Sequence, residues 1–327
     1  MPYELASQRV FHKKMKIFFL SDLWIPFPGG AERFVYNLAR ELVQRGHEVR
    51  VLTSYPHAES SDGIDVVFRN VGVYKERNEG AEVVKEEIAR FAPDVLFVHH
   101  FFAAQFQQEI ETCGIPFVQV VHNGKRMQGA SLSIYNSEYT RERAGARADD
   151  ITMNPPAYPD CIASEHGDGI GFVKPIPHKG VELVYEIARR LPDRTFHVLR
   201  GEWYTIEVIQ ELHNIVFYQP IPLVRDFYAK CRIMLMPSKS EDAGTIPQES
   251  AMNGIPCIST DVMGLKETNA AGIRLPEDPD MWVEEIKKLD NKEYYDEVVR
   301  KQSEHLKEFK WDEKMNQIDS IIRTWQK

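Results

Sequence analysis

The sequence predicts an α/β protein built from two doubly wound, parallel-sheet domains that face each other across a cleft. Three observations carry that prediction. The chain has 327 residues, more than one ordinary domain needs and enough for two of about 150 residues each. Short apolar runs alternate with amphipathic stretches along almost its whole length, the pattern of a parallel sheet covered on both faces. A proline-rich break, Asn154-Pro-Pro-Ala-Tyr-Pro-Asp160, divides that alternation into two sets.

In the first set, residues 16–22 read as a buried strand. Residues 31–45 follow as a helix, with Phe34, Leu38, Leu42 and Val43 on one side and Gly46 as its stop. Further strands are expected at 47–54, 65–72, 94–100, 116–123 and 131–137, with helices near 79–91 and 103–113. In the second set, strands fit 169–174, 195–200, 214–218, 232–237 and 256–260. Helices fit 180–191, 203–213, 223–231 and 247–253, and 279–327 is nearly all helical. The expected organisation is a polar lead-in at 1–14, one domain at 15–155 joined by the closing helix 311–327, and a second domain at 156–310.

Bulk composition narrows the function. Hydrophobic residues make up 43% of the chain, so packed cores are expected throughout. The net charge of −9 gives no support to strong nucleic-acid binding, which is held mainly by basic groups on phosphates. Four cysteines without a C-x-x-C pair suit a reduced, cytoplasmic protein, with association at a membrane surface left open. No apolar run approaches the ~20 residues that would cross a bilayer.

The segment from Pro237 to Pro256 is the most informative. A strand ends at Pro237, a polar loop carries Glu241 and Gly244, and Pro247 fits the first turn of a helix that Gly254 ends. Small-residue backbone and a helix start at one point suit an anion. Glu241 and Glu249 can face the same ligand, and carboxylates there suit vicinal hydroxyls, because each accepts two hydrogen bonds. The plainer reading is a Glu249 that favours the helix dipole and a solvated Glu241.

This segment resembles glycosyltransferase family 4, whose pattern is roughly Pro-Ser-x-x-Glu-Gly-Phe-Gly followed by Glu-Ala-Met-Ala-x-Gly-x-Pro. Here it reads Pro237-Ser238, Glu241-Asp-Ala-Gly244-Thr245, then Glu249-Ser-Ala-Met-Asn-Gly254-Ile-Pro256. The stretch Lys174-Pro-Ile-Pro-His-Lys179-Gly180 is similar to the family's Arg-Leu-x-x-x-Lys-Gly, and Gly29-Gly30-Ala-Glu-Arg33 with Arg45-Gly-His-Glu-Val49 matches its opening. The resemblance covers the chain from about Met15 onward. It implies the GT-B fold, a closing helix that crosses back to the first domain, and a retaining transfer of a hexose-type sugar from a UDP- or GDP-linked donor without a metal. The acceptor stays open among a small molecule, a glycan, a lipid-linked sugar, a protein and a modified DNA base.

By the resemblance, Glu249 would hold the donor ribose, and Glu241 with Ala243, Gly244 and Thr245 the sugar. Amides of Thr245 and Ile246, with Lys174 and Lys179, would meet the diphosphate, Pro220 the nucleobase, and the Gly29-Gly30 turn would let backbone approach the donor closely. His122, at a strand end that faces the crevice, joins Glu241 and Lys179 as a catalytic candidate. No metal ligands and no cofactor beyond the donor are expected. Asp242 and Ala243 replace the family's Gly and aromatic residue beside the sugar. That change keeps two alternatives alive, a non-catalytic nucleotide-sugar binder and a nucleotide-sugar epimerase of the same architecture. Three further features have plainer explanations. His99 and His100 point opposite ways, with one able to touch acceptor; Asp278-Pro-Asp280 is a helix cap rather than a metal motif; Gly167-Asp-Gly-Ile-Gly171 precedes its strand, the wrong order for a dinucleotide loop. The basic, flexible stretch Gly124–Gly129 is a candidate to meet an anionic acceptor.

Overall fold

Apolar strand segments collect into two separate sheets. The computed structural model describes residues 14–325 apart from 28, 72–76, 157–158, 202–206 and 222–223. The lead-in, except Lys14, lies outside the described residues. In chain order the first half holds β1 (Lys16–Leu20), α1 (Gly30–Gln44), β2 (Glu48–Thr53), β3 (Asp65–Phe68), α2 (Arg77–Phe91) and β4 (Val95–His99). It continues with α3 (His100–Gln105), α4 (Gln107–Thr112), β5 (Phe117–Val121), β6 (Leu132–Tyr135), α5 (Glu138–Ala144) and β7 (Ile151–Thr152). The second half holds β8 (Gly169–Val173), α6 (Val181–Arg190), β9 (Phe196–Leu199), β10 (Ile215–Tyr218), α7 (Arg225–Tyr228), β11 (Cys231–Met236) and α8 (Ile246–Met252). It closes with β12 (Cys257–Thr260), α9 (Met263–Thr268), β13 (Ile273–Leu275), α10 (Pro279–Lys288), α11 (Lys292–Leu306) and α12 (Trp311–Arg323).

Among the described residues the strands form a seven-stranded sheet, β3-β2-β1-β4-β5-β6-β7, and a six-stranded sheet, β10-β9-β8-β11-β12-β13. Both are parallel throughout. The strand order reverses between β1 and β4 in one sheet and between β8 and β11 in the other. Chains leave in opposite directions there and open a crevice at the carboxyl ends of the strands.

Each sheet buries both faces, so its strands are almost wholly apolar. One face of the first sheet packs on α1 through Phe34, Leu38 and Leu42. Met315, Ile318 and Ile322 of α12 belong to that same core, so the last helix of the chain completes the first half. Buried His47 pairs with Asp319 of α12 at 2.7 Å and fastens the helix there. The second sheet packs on α6 and α10 through Val184, Ile187, Trp282 and Ile286. Asp278 caps α10 by accepting from Asp280 N, as the sequence suggests.

Several expectations need correction. The described part of the helix expected at 203–213 is irregular from 207 to 212. Its polar groups go elsewhere: Val208 N donates to Pro175 O, Val208 O accepts from Tyr185 Oη, and Glu207 accepts from Arg200 and Gly201. The helix expected at 103–113 begins at His100 and breaks at Phe106. The expected third strand stops at Phe68, with 72 outside the described residues. Helices α5 and α9 and strands β7 and β13 were not expected; each is short, and β7 and β13 sit at sheet edges.

Candidate functional site

The two crevices meet in one cavity of about 570 Å³ between the halves of the molecule. Every residue singled out from the sequence as catalytic or donor-binding lines it. Gly30 and His122 come from the first half. Lys174, Lys179 and Pro220 come from the strand ends of the second, and Glu241, Ala243, Gly244, Thr245, Ile246 and Glu249 from the loop after β11 and the opening of α8.

Lys179 reaches the site through a turn that only glycine can complete. Gly180 sits at φ +78°, and a Cβ there would lie 1.9 Å from Pro237 O. The missing side chain lets the turn press against the end of β11. Lys179 Nζ then donates to Glu241, whose Oε1 also accepts from Ser238 Oγ at 2.9 Å. Lys174 directly follows β8 in the left-handed region at φ +67°, an uncommon conformation for a residue with a side chain, and such strain clusters at functional sites. Lys179 therefore places an ammonium group beside Glu241, and Lys174 lines the same cavity with its side chain running over Gly201.

Glu249 lies one turn into α8. Its Oε2 accepts from Tyr228 Oη at 2.7 Å, and burial raises its pKa above the ordinary carboxylate value. Tyr228 is fully buried. Sequence reasoning missed it, because the pairing joins α7 to α8 and leaves no trace in either local pattern. Arg33 was missed for the same reason. It extends from α1 to Asp160 across the proline-rich connector at 3.0 Å and lines the cavity.

The first half contributes the opposite wall. His122 follows β5, and its Nδ1 lies 3.3 Å from Asn136 Nδ2. Phe34 and His99 meet its ring edge to face at 5.1 and 4.9 Å. His99 is buried behind His122, with Nδ1 3.2 Å from Ser21 Oγ, and it does not line the cavity. Gly30 brings the start of α1 close to Thr245, since a Cβ on it would lie 3.6 Å from Thr245 Cγ2.

Asp242, which stands where the related pattern has glycine, joins the halves. Its carbonyl accepts from Ser137 Oγ at 2.6 Å and its carboxylate pairs with Arg143 of α5 at 3.4 Å. Burial raises its pKa, against the pull of Arg143. Glu267 adds a second link, accepting from Glu138 N at 2.9 Å and from Asn154 Nδ2 at 2.5 Å.

The basic stretch 124–129 is pinned at Arg126 rather than loose. Arg126 is buried against Asp150, with Nε 2.9 Å from Oδ2, and donates to the carbonyls of Met127 and Ala130. Met127 belongs to the core. The charge serves to tie down a turn and only Lys125 of the pair is exposed.

Among the described residues no group of three or more His, Cys, Asp and Glu side chains could hold a metal ion. No helix among them is long and apolar enough to cross a membrane. All four cysteines are free thiols.

Two parallel α/β sheets facing one cleft, with lysines and paired carboxylates on one wall and a histidine on the other, define a glycosyltransferase of the GT-B type. Comparison with known proteins agrees: the profile of Glycosyltransferase Family 4 matches residues 28–157 and that of Glycosyl transferases group 1 matches residues 167–291. The chain belongs to this glycosyltransferase family. It is 23% identical to a D-inositol 3-phosphate glycosyltransferase of Corynebacterium diphtheriae, over 90% of this chain and 89% of that one. Sucrose-phosphate synthase of Thermosynechococcus elongatus superposes with a TM-score of 0.77 at 15% identity, covering 95% of this chain and 99% of the other. A glycosyltransferase of Rickettsia africae gives 0.74 at 13% identity, covering 97% and 100%.

Proposed function

We propose that the protein transfers a hexose-type sugar from a UDP- or GDP-linked donor to an acceptor hydroxyl with retention at the anomeric carbon and without a metal. The observation that carries this reading is the pairing of Lys179 with Glu241 in a cleft that Glu249 also lines. Lys174 and Lys179 would neutralise the departing diphosphate, whose charge grows at the transition state. Glu249 would accept the ribose hydroxyls, and Glu241 the hydroxyls of the sugar. The second half of the chain would hold the donor and the first the acceptor.

In this mechanism the bond from the anomeric carbon to the diphosphate oxygen breaks first. The acceptor oxygen attacks from the same face, and its proton passes to the phosphate oxygen that leaves. His122 would hydrogen-bond a sugar hydroxyl. Bridges through Asp242 and Glu267 would hold the halves together around the donor and keep water out.

The test is release of nucleoside diphosphate from UDP-, GDP- and ADP-linked hexoses with and without a panel of acceptors. The name of the corynebacterial relative makes an inositol phosphate the first acceptor to try. Acceptor-dependent turnover of a UDP- or GDP-hexose, unaffected by EDTA and giving a product of unchanged anomeric configuration, supports the reading. An inverted product or loss of turnover in EDTA contradicts it. A new sugar nucleotide formed without acceptor marks an epimerase, and binding without turnover marks a non-catalytic binder.

A further inference from the structure

We propose that Arg200 reads the nucleobase of the donor and selects a carbonyl-bearing base, uracil or guanine, over adenine; this rests on the donor reading above. The cavity floor follows the strand order of the second sheet. Lys179 and Glu241 stand at the ends of β8 and β11, where the order reverses, while β9 and β10 lie on the other side of β8. A diphosphate between the lysines and a ribose at Glu249 leave one stretch of wall for the base. That stretch carries Leu199, Ile221 and Val224, which together with Ile246 belong to the apolar cluster around Tyr228. It offers a flat ring an apolar face, and Arg200 is the cation that directly follows Leu199 there.

Arg200 is built in rather than loosely attached. Its backbone N donates to Tyr218 O at 2.9 Å, which sets it beside the loop of Pro220 and Ile221. Its Nε donates to Glu207 Oε2 at 2.6 Å, and Glu207 Oε1 accepts from Gly201 N at 2.6 Å. The Glu207 side chain is only 6% exposed, so it fixes one edge of the guanidinium. Nη1 and Nη2 have no hydrogen-bond partner among the described residues, and Arg200 lines the cavity. Terminal guanidinium nitrogens are donors only. They match the carbonyl oxygens of uracil, or O6 and N7 of guanine. The corresponding edge of adenine presents an amino donor beside N7.

The experiment is calorimetric titration of UDP, GDP, ADP and inorganic pyrophosphate into the native protein and into Arg200→Ala and Arg200→Lys. Native protein should prefer UDP or GDP to ADP. Arg200→Ala should weaken the preferred nucleotide by roughly ten- to a hundredfold and leave ADP and pyrophosphate little changed. Arg200→Lys, which keeps the charge without the planar fork, should recover only a small part of the loss. An equal loss for pyrophosphate makes Arg200 a phosphate contact and overturns the inference. So does a native preference for ADP, or a base preference that survives in Arg200→Ala. If no nucleoside diphosphate binds the native protein at all, the donor reading fails first and this inference falls with it.

Discussion

The hydroxyl of Tyr228 donates to Glu249 Oε2 at 2.7 Å, so a buried tyrosine aims the carboxylate expected to hold the donor ribose. Removing that hydroxyl leaves the carboxylate partly desolvated with one bond fewer. Tyr228→Phe should therefore weaken nucleoside diphosphate binding by about tenfold, the cost of one hydrogen bond to a charged group, as read by calorimetric titration. Unchanged affinity would mean that Glu249 needs no such support.

Glu249→Gln separates binding from stability. Burial raises the folded pKa of Glu249 above its usual 4.5, so the native state holds a proton at pH values where the unfolded state has lost it. The ionised group thus costs stability above that window, and the cost fades as pH falls toward 4.5. The variant should melt higher than the native protein at pH 7.5, on the order of 2 °C, with the gain shrinking in acid while donor binding is lost at both pH values. A lower melting temperature at neutral pH would contradict this.

Asp22 behaves in the same sense at the end of β1. Burial lifts its pKa from 3.8 to about 6, against hydrogen bonds from its own amide and that of Leu23. A rise of that size corresponds to at most about 3 kcal/mol of stability withheld at neutral pH. Asp22→Asn should be more stable than the native protein at pH 8 by denaturant titration, and the difference should disappear between pH 6 and 4.

Gly180→Ala tests the turn that delivers Lys179. A left-handed backbone and a Cβ 1.9 Å from Pro237 O leave no room for a methyl group. A stability loss of about 2 kcal/mol or more is expected in urea titration, together with weakened nucleotide binding as Lys179 moves off Glu241. Loss of stability with intact binding would separate the turn from the site.

Arg126→Met tests the reassignment of the 124–129 turn. It removes the nearer of the two arginines paired with buried Asp150, leaving Arg147 at 4.0 Å, and breaking such a pair costs up to roughly 3 kcal/mol. Stability should fall by that order, while the affinity for nucleotide stays as it was.

The site was legible in sequence where local pattern and chemistry coincide. Glu241, Gly244 and Glu249 lie within one strand-loop-helix unit, and the backbone of that unit alone brings them to the cavity. Strands showed themselves because parallel sheets buried on both faces leave continuous apolar runs. What stayed hidden depends on partners distant in sequence. Nothing near Tyr228, Arg33 or Ser137 announces Glu249, Asp160 or Asp242. Two misreadings have the same origin. Residues 207–212 carry a helix-like pattern, yet their backbone bonds to Pro175 and Tyr185 from other elements. Arg126 looks like a surface charge until Asp150 folds against it.

The most direct test of the account is a crystal structure with a bound nucleoside diphosphate. It should place the phosphates within hydrogen-bond distance of Lys174 and Lys179, and the ribose hydroxyls on Glu249. A nucleotide seated against the first sheet instead, or with its ribose turned away from Glu249, would contradict it.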